Sequence, residues 1–341
     1  MKTSRRLSIV AAAVMLAGCG AEQASTAPPA RPEPTPRAAM TPAPTAPVAP
    51  PPEKAAEAPP KPKAPPPPTE VDRILDGAKA KIGAKDLSGA QKEIDRARTA
   101  AGSDPDERFK VDYQQATLHA YRGDFEAAAK VFVTYLKETP HRPDAQTEAW
   151  SHNCLMMLRG AQGDILAAMA ENDEYTVLGL NSTWSVPDMP REKHVWMKDT
   201  WHRAYYLRMA AEKVTGSRKE AALRYAEAAR KRYGELAAAH PSYADSIAVL
   251  DGYFAALDRD KERALAAAKR VNLKENDDVE DLYLAGIAFE AGGDAAAAEE
   301  VRRRIRAAPA YLAVPIVVKF IEADARKDRS RFSPRIPTGA P

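Results

Sequence analysis

One stretch in the first half of the chain, residues 116–140, most constrains the fold. Gly123 permits a left-handed backbone and Asp124 is a preferred helix N-cap, so the pair predicts a tight turn between two helices. Pro140 predicts the end of the second helix. Apolar residues recur in that helix with the spacing of a single face, at Phe125, Ala128, Ala129, Phe132, Val133 and Leu136. The stretch is therefore expected to fold as a helical hairpin.

Comparable hairpins are predicted along most of the chain, and no run of residues favours β-strands. The six predicted units are Val71–Gly102, Phe109–Glu138, Ala145–Ala170, Arg203–Leu236, Tyr243–Val271 and Val279–Ala308. Each has an alanine after its turn, at Ala90, Ala128, Ala168, Ala221, Ala264 and Ala298, in steps of 38, 40, 53, 43 and 34 residues. A last helix, Ala310–Ala325, is expected to cap the stack. The sequence thus predicts an all-α domain over residues 70–326.

The hairpin around Gly123 resembles the tetratricopeptide repeat. The matching features are a small residue early in the unit, the glycine at the turn, an aromatic residue with Ala-Ala two and three positions later, an aromatic residue one helical turn after that, and the closing proline. This resemblance implies a right-handed α-solenoid of about six such hairpins plus a C-terminal capping helix. A set of plain helical hairpins without repeat ancestry is the alternative.

The resemblance further implies a concave face, lined by the first helix of each hairpin, at which a protein partner binds. The positions of this sequence that match that face are Lys110, Tyr113, Thr117, Trp150, Asn153, Arg203, Tyr206, Glu280 and Tyr283.

The step of 53 residues contains a second candidate binding region. Residues 174–201 are expected to form an insertion or a distorted hairpin, and they carry Trp184, Trp196 and Trp201. An exposed aromatic cluster of this kind is typical of a binding hot spot, and we include the three tryptophans among the predicted partner-binding residues. Aromatic residues in a long loop also often pin the loop to its own domain, and that interpretation stays open.

The N-terminus predicts export and lipidation. Basic residues precede an apolar run, Leu7–Ala17, that is too short to span a membrane. The run ends in Leu16-Ala17-Gly18-Cys19, which resembles the lipobox of bacterial lipoproteins. The resemblance implies that a signal peptide, residues 1–18, is removed and that Cys19 is lipidated and anchors the chain in the membrane. Gly20 follows the cysteine, at a position where an aspartate favours retention at the inner membrane. The resemblance therefore also implies that the chain is attached to the outer membrane and faces the periplasm. An ordinary secretory peptide is the alternative.

Residues 19–69 are expected to be disordered. Of the 29 prolines, 18 lie between Pro28 and Pro68, and large apolar side chains are almost absent. Such a segment cannot bury enough surface to offset the entropy of ordering it, and its prolines favour an extended polyproline II spacer. A proline-recognition role is the alternative. The basic tail, residues 327–341, is also expected to be disordered.

Composition excludes several function classes. The formal net charge is +3, and residues 1–18 carry three basic and no acidic residues, so the mature chain is near neutral and offers no general attraction to nucleic acid. Only two cysteines occur, and Cys154 is expected to be a buried small hydrophobe without a disulfide partner. We find no zinc-ligand spacing, phosphate loop or nucleophile motif, and therefore expect neither an enzyme nor a cofactor or metal.

The sequence predicts a lipid-anchored envelope protein that binds other envelope proteins as a scaffold or assembly factor. One alternative is a structural tether that makes weak contact with cell-wall polymers through a basic C-terminal end. The residues of that end are Arg302, Arg303, Arg304, Arg306, Arg326, Lys327, Arg329, Arg331 and Arg335. A less favoured alternative is an enzyme centred on Asp199 and His202, which stand at i and i+3 on a helix.

Overall fold

The computed structural model describes residues 67–138, 146–186, 189–212 and 214–325. Within these ranges the chain forms thirteen α-helices, one turn of 3-10 helix and no strand, which confirms the predicted all-α fold. None of the described helices is long and apolar enough to cross a membrane. The predicted signal peptide, nearly all of the proline-rich segment and the basic tail lie outside the described residues.

The helices follow one another as packed pairs. Their bounds are α1 Glu70–Gly83, α2 Leu87–Ala101, α3 Pro105–Tyr121, α4 Phe125–Glu138, α5 Gln146–Ala161, α6 Ile165–Asn181, α7 Arg191–Ala211, α8 Gly216–Ala237, α9 Ala244–Leu257, α10 Lys261–Ala268, α11 Val279–Ala291, α12 Ala295–Ala307 and α13 Ala313–Ala325. The 3-10 turn, Pro241–Tyr243, precedes α9. The twelve helices before α13 form six consecutive packed pairs.

Five of the six hairpin turns share one local geometry. A residue in the left-handed region is followed by an aspartate, at Lys85-Asp86, Gly123-Asp124, Gly163-Asp164, Arg259-Asp260 and Gly293-Asp294. Each aspartate N–H donates to the carbonyl five residues earlier at 2.9–3.0 Å, which closes the first helix as in a Schellman motif. Each carboxylate accepts from the N–H three residues later at 2.8–3.1 Å, which caps the second helix. The repeated hairpins thus follow from one recurrent turn.

Two of these turns place a residue other than glycine in the left-handed region, at Lys85 and Arg259, each with φ of 63°. A left-handed residue with a Cβ costs about 1–2 kcal/mol. We therefore expect Arg259→Gly to raise the free energy of unfolding by about 0.5–1 kcal/mol, since glycine relieves this cost but has a more flexible unfolded state. Urea denaturation checks this. Gly293→Ala, at the equivalent position of another turn, should lower stability, and a loss of stability in Arg259→Gly would contradict the interpretation.

The second helix of the fourth hairpin, α8, does not follow the predicted alignment of residues after the hairpin turns. The alignment of the hairpins places Ala221 after this turn and Tyr225 at the aromatic position one helical turn later, but Ala221 is only half-buried and Tyr225 is 59% exposed. The buried pair with the same spacing is Ala229 and Tyr233. This pair lies two helical turns further along α8 than Ala221. Counting residues from the hairpin turn therefore selects Ala221 instead of the buried Ala229.

Of the two interpretations of residues 174–201, an insertion or a distorted hairpin, the structure favours the hairpin, because most of these residues belong to two helices. The helix α6 continues to Asn181 and α7 begins at Arg191, so only a short connection separates them. The long step between the third and fourth hairpins therefore reflects longer helices, since α6, α7 and α8 have 17, 21 and 22 residues.

The last helix does more than cap one end. The helix α13 packs against α11 and α12, and also against α3 and α5, which belong to the second and third hairpins. The Leu312 N–H donates to Tyr113 Oη at 3.3 Å, and the Phe320 ring lies 5.7 Å from the Tyr283 ring. Apolar residues of this segment are buried, namely Leu312, Ala313, Val314, Ile316, Val317, Phe320 and Ile321. The C-terminal segment therefore joins hairpins that are far apart in sequence.

Candidate functional site

The residues predicted to line a concave binding face lie on α3, α5, α7 and α11, and most of them have little exposed surface. Thr117, Asn153, Tyr206 and Tyr283 are buried, with exposed fractions of 0, 7, 1 and 4%. The half-buried members are Lys110, Tyr113, Trp150, Arg203 and Glu280.

The chain's own C-terminal segment contacts this interior face. Tyr113 accepts the hydrogen bond from Leu312, and Tyr283 packs on Phe320. Burial raises the pKa of Tyr113 above its ordinary value. Lys110 turns elsewhere, because its ammonium donates to Asp72 at 2.9 Å and to Glu107 at 3.0 Å. In this conformation, the interior face is engaged by α13 and by ion pairs within the domain.

Tyr206 is held against the backbone of α5. A Cβ placed on Gly160 would lie 2.7 Å from Tyr206 Oη and 2.8 Å from its Cζ, closer than real Cβ atoms approach other atoms. The glycine therefore allows α5 and α7 to approach closely through one aromatic side chain.

Replacement of Gly160 by alanine is expected to lower the free energy of unfolding by about 1–3 kcal/mol, because the buried ring of Tyr206 must shift. Thermal and urea denaturation measure the change. Gly234→Ala is the matched control, since nothing lies within 4 Å of its Cβ position in α8. That control should be neutral or stabilising, by up to about 1 kcal/mol. Equal effects of the two substitutions would contradict the close packing.

A buried hydrogen-bond network centred on Asp199 joins α6 to α7. Its carboxylate accepts from Asn172 Nδ2 at 2.8 Å and from Thr176 Oγ1 at 3.0 Å. Arg203 Nε donates to both of its oxygens, at 2.9 and 3.0 Å, and the same guanidinium reaches Asp173 at the surface. The side chain of Asp199 is only 4% exposed.

In this network Asp199 is not hydrogen-bonded to His202, the residue that the enzyme alternative paired with it. Among the described residues, the donors to the Asp199 carboxylate are Asn172, Thr176 and Arg203, and His202 is not one of them. His202 is 1% exposed, and its Nδ1 has no hydrogen-bond partner. Burial lowers the pKa of His202 well below its ordinary value and so favours the neutral ring. Asp199 therefore has a structural role at the α6–α7 contact.

A second buried set of charges involves Lys198 and the start of α11. Lys198 is 6% exposed, and its ammonium lies 5.8 Å from the centre of the Trp150 ring. Burial lowers the pKa of Lys198 and raises the pKa values of Asp278 and Asp281, and it raises that of Glu280 to about 7. Asp281 accepts from Ser246 at 2.8 Å and from Asn276 at 3.2 Å.

The sequence analysis singled out Glu280 but not Lys198, Asp278 or Asp281. Charged residues in an amphipathic helix are expected to face solvent, so their burial was not predicted. No local signal distinguishes Lys198 or Asp281 from exposed charges. Among the residues that the structure describes, no group of three or more histidine, cysteine, aspartate and glutamate side chains has the arrangement to hold a metal ion. Cys154 is buried, as expected.

The three tryptophans of the long step differ in environment. Trp184 packs in a buried cluster with Ala149, Tyr175 and Val195. The Trp201 ring lies 5.4 Å from the Tyr233 ring and is 3% exposed. Trp196 is 43% exposed. Two of the tryptophans therefore pin α6, α7 and α8 together, and Trp196 presents an aromatic surface to solvent.

Trp196 belongs to a larger apolar surface. The large apolar side chains that are exposed in the described part of the chain are Leu166, Val177, Trp196 and Tyr225, and the first three lie on α6 and α7. Leu166 and Val177 share one helix face, since residues eleven apart are separated by three turns. We name the line of residues Leu166, Ala170, Asp173 and Val177 the α6 stripe.

The packing of α6 on α7 places Trp196 beside the C-terminal end of the α6 stripe. The bond from Thr176 to Asp199 and the contact of Gly179 with Val195 show that the two helices run antiparallel. Trp196, next to Val195, therefore lies near Val177 and Leu180. The α6 stripe and Trp196 together form what we call the α6–α7 surface.

The α6–α7 surface has an acidic border. The helix α6 carries Glu171, Asp173 and Glu174 and no basic residue. Asp173 is paired with Arg203, and Glu171 lies 2.7 Å from the His152 ring. Glu174 is exposed. A ligand of this surface would therefore meet apolar side chains next to the exposed carboxylate of Glu174.

The basic end of the chain is largely paired in its described part. Arg302 contacts Glu290 and Glu299, Arg303 contacts Glu300 at 2.7 Å, and Arg306 contacts Glu299 at 3.4 Å. Arg304 donates to a backbone carbonyl. These contacts leave little uncompensated positive charge on α12 for a cell-wall polymer. The remaining basic residues of this end, in the tail, lie outside the described residues.

No protein-family model matches this sequence. Neither a curated protein nor a solved structure is significantly similar to it.

Proposed function

We propose that this chain is a lipid-anchored protein of the bacterial outer membrane that binds other envelope proteins as a scaffold or assembly factor, facing the periplasm. The lipobox ending in Cys19 supports the anchor. The helical-repeat domain supports the binding role, since stacked hairpins offer extended surfaces for proteins.

We propose further that the six hairpins form a right-handed solenoid of the tetratricopeptide type, with α13 laid against its first helices. The five equivalent turns, each with a left-handed residue and a capping aspartate, support a repeated unit. The buried pairs of alanine with a larger residue one turn later, such as Ala90–Ile94 and Ala128–Phe132, support the same interpretation.

The exposed α6–α7 surface carries the proposal of partner binding. The interior face is covered by α13, and burial of one large apolar side chain contributes about 1.5–3 kcal/mol. Removing the buried apolar side chains of α13 would therefore cost on the order of 10 kcal/mol, comparable to the stability of a whole domain. A partner that binds Leu166, Val177 and Trp196 does not have to displace α13, so its binding carries no comparable free-energy cost.

Crosslinking in cells tests the partner-binding role. A photoreactive residue is introduced at Val177 or Trp196, with Tyr225 as a matched control that is exposed on α8. Defined protein adducts are expected from positions 177 and 196 and not from 225. Adducts with cell-wall fragments alone would favour the tether, and equal labelling at all three positions would overturn the proposed surface.

Membrane fractionation tests the anchor separately. Cys19→Ala should abolish lipid attachment, so a chain whose signal peptide has been removed is expected in the soluble envelope fraction. If that processed variant remains bound to the membrane, the lipoprotein proposal fails. If the unsubstituted chain is exported without lipid, the ordinary secretory alternative is correct.

A further inference from the structure

The α6–α7 surface lacks a cover among the described residues, while the chain itself contains a segment of complementary chemistry. Residues 326–341 read RKDRSRFSPRIPTGAP, with five basic residues, one acidic residue and the apolar side chains of Phe332 and Ile336. Beside exposed Leu166 and Val177, α6 presents the exposed carboxylate of Glu174 and that of Asp173, which is paired with Arg203, and α6 has no basic residue. Opposite charges and matching apolar residues thus occur on two parts of one chain.

The position of α13 brings this segment toward α6. The Lys319 ammonium lies 4.3 Å from the centre of the Phe125 ring, so the C-terminal half of α13 reaches the turn between α3 and α4. Phe125 is the first residue of α4, and Leu166 follows the first residue of α6, the equivalent helix of the next hairpin. Since neighbouring helices pack about 8–10 Å apart, the start of α6 is within a few helix diameters of the end of α13.

The length of the segment is sufficient to cover the surface. Sixteen residues span at most about 50–60 Å when extended. The α6 stripe, from Leu166 to Val177, extends about 17 Å along its helix. The segment therefore has enough length both to pass around the edge of the helical layer and to lie along the stripe.

We propose that residues 326–341 dock on the α6–α7 surface of the same chain. In this arrangement Phe332 and Ile336 cover Leu166, Val177 and Trp196, and the basic residues lie near the exposed Glu174. Each contact is weak by itself, but a tethered segment acts at an effective concentration on the order of millimolar, which is sufficient for weak docking. Proteins that bind this surface would compete with the tail.

Acrylamide quenching of Trp196 in the purified full-length protein tests the docking. The signal of Trp196 is the difference between each protein and its Trp196→Phe variant, which removes the contribution of Trp150, Trp184 and Trp201. The full-length chain is compared with a chain that ends at Ala325. We expect the truncation to raise the quenching constant about twofold or more, and a peptide of residues 326–341 added to the truncated chain to restore protection.

Variants of the full-length chain test the contributions of the charged and the apolar contacts separately. Arg329→Glu combined with Arg331→Glu should raise the quenching constant, and so should Phe332→Ser. Thr338→Ala is the matched control and should leave it unchanged. Salt of about 0.5 M should reduce protection, because it screens ion pairs at the surface. These variants keep α13 intact and remain informative if truncation impairs folding, which circular dichroism detects.

Three results would overturn the docking. An unchanged quenching constant in both the truncated and the charge-reversed chain means that the tail does not cover Trp196. If the protection of Trp196 from quenching rises with protein concentration, a second copy of the chain covers the surface. Protection that appears only with envelope extract assigns it to another protein. Because the purified protein contains no envelope partner, failure of tail docking is distinguishable from failure of the proposed scaffold function.

Discussion

Phe320→Ala is expected to lower the free energy of unfolding by about 3–5 kcal/mol, the typical loss for a buried phenylalanine. Phe320 is 2% exposed and packs on Tyr283 of α11. It belongs to the helix that also contacts α3 and α5, so its truncation weakens contacts between distant hairpins and leaves a cavity in the interior.

Urea denaturation, followed by circular dichroism, measures this loss. Glu322→Ala is the control on the same helix, since Glu322 is exposed, and its effect should stay within about 0.5 kcal/mol. If Phe320→Ala costs less than about 1 kcal/mol, the apolar interior collapses around the missing ring or α13 is not firmly docked. Increased proteolysis after α12 in Phe320→Ala would support the second explanation.

Asp199→Ala is expected to destabilise the domain by about 3–5 kcal/mol, because removal of one partner leaves a partly buried guanidinium without its main counter-charge. Arg203 loses the bifurcated hydrogen bond from its Nε, and Asn172 and Thr176 each lose a buried acceptor. The contribution of Asp199 therefore exceeds that of an exposed ion pair, which is typically below about 1 kcal/mol.

Asp173→Ala is the matched control for Asp199→Ala. Asp173 contacts the same guanidinium but is 58% exposed, so its loss should cost less than about 1 kcal/mol. The double variant Asp199→Ala with Arg203→Met should recover part of the lost stability, since it removes the unpaired charge. Equal effects of the two aspartate substitutions in thermal denaturation would contradict the assignment of Asp199 as the centre of the network.

The hairpin turns illustrate how much the sequence predicts locally. Gly123-Asp124, Gly163-Asp164 and Gly293-Asp294 are recognisable because glycine and aspartate favour the two conformations that the turn requires. The equivalent turns at Lys85 and Arg259 lack glycine and were not identified as left-handed positions. There the packing of two adjacent helices imposes a conformation that the residue alone disfavours.

The α8 helix shows a different limit. A pattern counted from the turn selected Tyr225, whereas the structure buries Tyr233 against Trp201. Helical periodicity defines which residues share a face, but it does not define how far along a helix the neighbouring helix makes contact. The two additional turns of α8 are therefore not visible in the spacing of apolar residues alone.

The candidate site depended still more on tertiary contacts. Tyr113 and Leu312 are 199 residues apart, and their hydrogen bond places the C-terminal segment on the interior face. Apolar residues occur both on the interior face and in α13, but the sequence does not indicate that α13 packs on that face. The exposure of Trp196, next to buried Trp184 and Trp201, likewise depends on which helices pack around it.

By itself, the sequence determined the helices, most of their turns and the unusual composition of the first seventy residues, because these follow from properties of neighbouring residues. Only the tertiary structure decided that α13 covers the interior face, that Asp199 and Lys198 are buried, and that α6 and α7 expose an apolar surface. The physical reason is that burial depends on which distant segments meet, and the free energy of those contacts belongs to the assembled domain rather than to any local pattern.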